Sequence, residues 1–69
     1  MKPDELAKLT KYFRSTFGTP NITVRKRPQK DDSCEVYIGD EFIGVISKDE
    51  EEGELSYHFS MAILDIDLE

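Results

Sequence analysis

The chain has no tryptophan, one cysteine and one histidine, and these scarcities remove most of the chemistry a small protein performs. One thiol, Cys34, rules out an internal disulfide and leaves too few ligands for a structural zinc site. His58 has no second histidine with which to share a metal, and no nucleophile–base pair can be built from it and Cys34. Glycine-rich phosphate loops, HExxH pairs and dinucleotide fingerprints are missing. The expectation is therefore no catalytic residues, no metal or other cofactor, no small-molecule substrate, and a protein that is not an enzyme. No apolar run approaches the roughly 20 residues of a membrane span, and no basic-then-apolar export signal opens the chain. With a free thiol, this pattern leads us to expect a reducing, cytoplasmic setting and no membrane partner.

What is present is one domain's worth of chain, residues 1–69. Domains this small bury only about 60% of their unfolded surface and often lean on a disulfide, a metal or a second chain. With the first two removed, close packing or self-association remains. The net charge of −6 is unevenly spread. Residues 1–30 set eight Lys/Arg against Asp4 and Glu5, for +6; residues 31–69 set thirteen Asp/Glu against Lys48, for −12. Such asymmetry is a partner signal. The closing Leu68-Glu69 is compatible with the remnant of an expression tag, and no weight rests on either residue.

The stretch KPDELAKLTKYFRSTFG reads as a helix. Pro3 suits the first helical position, Asp4 and Glu5 face the positive end of the dipole, and Lys11 and Arg14 lie towards the negative end. Leu6, Leu9, Phe13 and Phe17 form one apolar stripe; Gly18 and Pro20 end the element. NITVRKRP alternates as a half-buried strand that Pro28 stops. SCEVYIGDEFIGVIS reads as a hairpin around Gly39-Asp40, and KDEEEG as a charged connection. Leu55, Tyr57, Phe59, Met61 and Ile63 then share one face of a long strand, with a bulge or bend expected near residues 62–64. The expected fold is α+β, a two-layer sandwich of an N-terminal helix on a four-stranded antiparallel meander.

Three features bear on partners. A two-residue turn at Gly39-Asp40 sets Tyr37 opposite Phe42 and Ser33 opposite Ile46 on one face, with Val36 opposite Ile43 and Cys34 opposite Val45 on the other. A three-residue loop with a bulge changes the partners of Phe42 and Ile46. Under either register FIGVI is apolar on both faces, and one helix covers only one. Tyr37, Phe42 and Ile46 are therefore the candidate surface for a protein partner or a second copy, unless the C-terminal segment folds back over them. The second candidate is nucleic acid, held by Arg25, Arg27 and Lys30 with Lys8, Lys11 and Arg14 nearby. Overall acidity opposes it, and basic residues on an edge strand also serve to block stray pairing. The third feature, the acidic run 49–54, lacks the ligand pattern of an EF-hand and reads as a solvated loop. It also has the charge to meet the basic stretch of a neighbouring molecule. Cys34 is expected to face the core, as a small apolar residue.

The segments VYIGDEFIGV and GELSYHFSMAILD, with the opening ELAKLTKYFRSTFG and the basic strand after it, resemble a small uncharacterised family found in alphaproteobacteria. The resemblance covers nearly the whole chain. It implies a bacterial cytoplasmic protein and carries no catalytic residues to transfer.

Overall fold

Pro3 opens the first helix and Gly18 closes it. In the computed structural model, which describes residues 1–68 with Glu52 in its backbone alone, α1 spans Pro3–Phe17. Glu5 Oε1 accepts from the Lys2 backbone N–H at 3.1 Å, which satisfies one of the donors a helix start leaves open. Gly18 takes the left-handed conformation, φ 62°, and its N–H bonds to the Arg14 carbonyl.

Four strands follow: β1 Ile22–Lys26, β2 Ser33–Ile38, β3 Glu41–Asp49 and β4 Ser56–Ser60. They form one antiparallel sheet in the order β1-β2-β3-β4, the expected meander. The helix and four-stranded sheet are the α+β arrangement that the sequence patterning implies. A short 3-10 turn, Glu51–Gly53, joins β3 to β4, and a second, Asp65–Leu68, lies in the tail; Glu69 is outside the described residues.

The β2–β3 register combines features of both expected alternatives. Gly39, with φ 60°, and Asp40 make a two-residue turn, and Tyr37 pairs with Phe42. Between Phe42 and Gly44 the ladder then slips by one residue, so Val36 faces Gly44 and Cys34 faces Ile46. A one-residue slip carries every later side chain to the opposite face. Ile46 is consequently buried beneath α1, not grouped with Tyr37 and Phe42, and Val45 takes the outer position opposite Glu35.

The core is Leu9 and Phe13 of α1 against Ile22, Cys34, Val36 and Ile46 of the sheet. Cys34 faces inward as expected, and burial pushes its thiol pKa up. Two strand ends differ from the sequence reading. β3 runs on through Lys48 and Asp49, which pair with Tyr57 and Ser56 of β4, and Lys48 finds a carboxylate on the helix side. β4 stops at Ser60, before the expected bend, and residues 61–68 are exposed throughout. They do not fold back over Tyr37 and Phe42.

Candidate partner-binding groove

The helix sits mainly over β1, as its contacts show, and this leaves β4 incompletely covered. Between them runs a groove of about 530 Å³. Leu9, Tyr12, Phe13 and Phe17 form its helical wall, while Phe59 forms the floor above the fully buried Ile46. The spacing of the four helix residues is the amphipathic period extended by Tyr12 to a wider stripe than the strands below can hide. Tyr12 and Phe17 remain 63% and 54% exposed. Phe13 packs edge-on against Phe59 at 5.3 Å between ring centroids, which fixes the floor.

Gly44 makes room for that floor. A β-carbon there would lie 2.5 Å from the Ser60 carbonyl oxygen and 2.6 Å from a Phe59 ring carbon. The glycine beside the bulge thus lets β4 and its aromatic ring approach the third strand closely.

One end of the groove is polar and fixed. The Tyr57 hydroxyl donates to Glu5 Oε2 at 2.7 Å, and Lys48 Nζ reaches the same oxygen at 2.9 Å while also pairing with Glu50 at 3.3 Å. The Tyr57 hydrogen bond, then Lys48 and the Lys2 N–H, hold the Glu5 pKa down at about 2. The same carboxylate raises the pKa of Lys48, and with some burial that of Tyr57. This cluster pins the helix start to β3 and β4. Each of these groups is satisfied by the others.

The outer sheet face carries a smaller apolar patch. Tyr37 and Phe42 meet edge-to-face at 5.7 Å, and the Arg25 guanidinium lies 3.9 Å above the Tyr37 ring. The Tyr37 hydroxyl donates to Glu35 at 3.1 Å. Around the patch stand Ser47, His58 and Ser60, so the face as a whole is polar. His58 lies beside Asp49 and Ser56, each at 3.4 Å, with its ring largely exposed.

The basic residues divide between two surfaces, with Arg27 and Lys30 lining one depression beside Glu35 and the helix cations lying elsewhere. Arg25 stacks on Tyr37, and Arg27 donates to Ser33 Oγ at 3.4 Å and sits 4.0 Å from Glu35. Both project from the sheet face opposite the helix, whereas Lys8, Lys11 and Arg14 ride on α1. Arg14 is further occupied by the Ile22 carbonyl at 2.8 Å. Lys30 lies in the β1–β2 loop, where its N–H bonds to the Arg27 carbonyl. The expected adjacency of strand and helix cations is thus not formed.

Sequence reasoning named Ile46 but not the groove above it. Phe17 was legible as part of the apolar helix stripe, whereas Tyr12 was not singled out; that β4 would leave both uncovered was not legible. Among the described residues no three His, Cys, Asp or Glu side chains converge, and no helix is long and apolar enough to cross a membrane. No curated protein and no solved structure matches the chain. Residues 5–67, nearly the whole chain, match the family described as "Protein of unknown function (DUF3126)", and the chain belongs to that family.

Proposed function

We propose that this chain is a non-enzymatic protein-interaction module whose α1/β4 groove receives an apolar segment of a protein partner. The observation that carries this reading is the groove itself, with aromatic walls left open on a domain whose other sheet face is mostly polar. An apolar trough rimmed by polar groups is the usual form of a protein docking site. Grooves between a helix and an edge strand accept an inserted helix or strand by shape. Covering Tyr12 and Phe17 contributes about 1.5–3 kcal/mol per fully buried side chain. Ile46 is fully buried beneath this site and offers a partner no surface, whereas Tyr37 with Phe42 supplies a second, smaller contact on the far face. The bacterial, cytoplasmic setting implied by the family resemblance goes with this reading. Nucleic-acid binding has no comparable observation behind it, because the outer-face cations are already engaged with Tyr37, Glu35 and Ser33.

The test is site-specific photocrosslinking in the native host. Tyr12 and Phe17 are each replaced by p-benzoyl-phenylalanine, with Lys30 in the far loop as control. Irradiation is expected to give protein adducts, self-adducts included, from the two groove positions and not from the control. Absence of any protein adduct at both groove positions overturns the reading.

A further inference from the structure

Among the described residues, five of the ten large apolar side chains that the fold leaves exposed lie in the tail after β4. Met61, Ile63, Leu64 and Ile66 are exposed by 49–69%. The chain as a whole exposes 5411 Å², whereas a compact chain of 8.0 kDa exposes about 4,450 Å². The surplus is roughly 960 Å² per chain by that scaling. An interface that removed this surplus from both chains would bury roughly 1,900 Å² in all, within the roughly 1,200–2,000 Å² of a specific interface. The Cα radius of gyration, 12.7 Å against about 11 Å for a compact chain of this length, agrees.

We infer that a second copy of this chain supplies the occupant of the groove, residues 61–66 of each copy lying in the α1/β4 groove of the other. The inference rests on the reading of the groove as a protein-docking site and names its partner. A chain's own tail is badly placed to fill its own groove. β4 runs in the same sense as α1, with Tyr57 against Glu5 in the first turn and Phe59 against Phe13 farther along. The tail therefore leaves at the far end of the helix and must reverse at once to re-enter. Met61-Ala62-Ile63-Leu64 contains none of the Gly, Pro, Asn or Asp residues that tight reversals use. A second copy avoids the reversal.

Charge fits the same occupant. Asp65 and Asp67 flank Ile66, and no Lys or Arg follows Lys48. Lys8 stands on the groove's helical wall with no ion-pair partner among the described residues. The free edge of β4, carrying Ser56, His58 and Ser60, also lacks the Arg25, Lys26 and Pro28 that guard β1, so a second chain can approach there. The family match extends to Asp67, so the segment is part of the domain.

Two measurements on the full chain test this. Sedimentation across roughly 5 μM to 1 mM is expected to show a dimer, weakened at least about 100-fold in I63D/I66D, a pair of exposed residues whose change leaves the circular dichroism spectrum intact. Then an equal mixture of ¹⁵N-labelled and unlabelled chain, each carrying Ile63→p-benzoyl-phenylalanine, is irradiated and digested. Mixed-isotope adducts between the tail and α1 or β4 are expected. A wild-type monomer at 1 mM, a dimer that I63D/I66D leaves unchanged, or adducts only within single chains each overturns the inference. If Tyr12 and Phe17 still crosslink to another protein in cells, the groove's docking role survives that outcome; if they do not, both fall together.

Discussion

Replacing Gly44 by alanine probes the closest approach in the fold. In an ordinary strand interior this change is favourable by about 0.5–1 kcal/mol, since glycine loses more backbone freedom on folding. Here the new methyl group meets the Ser60 carbonyl oxygen at 2.5 Å and the Phe59 ring at 2.6 and 2.9 Å. A ring can rotate away, but the carbonyl is backbone, so β4 itself must shift from β3. Overpacking of this kind costs about 1–3 kcal/mol. Displacing Phe59 also weakens its edge contact with Phe13, worth about 0.5–1.5 kcal/mol beyond burial. The losses exceed the gain, and a net destabilisation of about 2 kcal/mol follows. For a domain of this size that lowers Tm by about 8–16 °C. Thermal and urea unfolding followed by circular dichroism measure it directly. In G44A/F59L the smaller side chain relieves part of the clash, so the two single losses should fail to add by about 0.5 kcal/mol or more. A G44A protein with a Tm equal to or above that of the wild type would refute the close approach of β4 and the floor it gives the groove.

Glu5 sets an acid limit to stability. Its pKa is lowered from 4.5 to about 2 in the fold, so its contribution is complete above pH 4.5 and is lost as pH falls towards 2. In E5Q the urea midpoint should vary less over that window, and an acid limb as steep as the wild type's would remove Glu5 as its source. Cys34 is fully buried with its thiol pKa raised, so a thiol-specific reagent at pH 8 should react slowly with the native chain and stoichiometrically in denaturant. Rapid reaction under native conditions would contradict that packing. Because Arg25, Arg27 and the helix cations lie on opposite faces, titration with RNA or DNA in about 20 mM salt, where electrostatic affinity is greatest, should show no binding. Tight binding lost in R25A/R27A would reverse this assignment.

The element order was legible because each signal was local. Pro3, the Leu9/Phe13 stripe and Gly18 delimit α1 within one stretch of chain, and Gly39-Asp40 marks a turn between two β-rich runs. The bulge had a signal too, since an isolated glycine inside a strand marks an irregularity or a close approach. Gly44 carried that signal, but the sequence reading placed the irregularity in the turn or near residues 62–64. One misplaced residue was enough to send Ile46 to the wrong face. The end of β4 was misread for another reason. Apolar alternation continues through Met61 and Ile63, but the β3–β4 ladder ends with Val45 opposite Ser60, next to the bulge at Ile43, so no strand pairs with them.

By itself, the sequence determined a helix followed by an antiparallel meander, an inward Cys34, and apolar surface in excess of what one helix covers. Those follow from periodicity and turn chemistry, which act over a few residues. Only the tertiary structure decided where the excess lies. The helix settled towards β1, Gly44 drew Phe59 in to form a floor, and Lys48 with Tyr57 anchored Glu5 at one end. Each of these depends on residues far apart in the chain meeting at a register that one unpaired residue, Ile43, shifts.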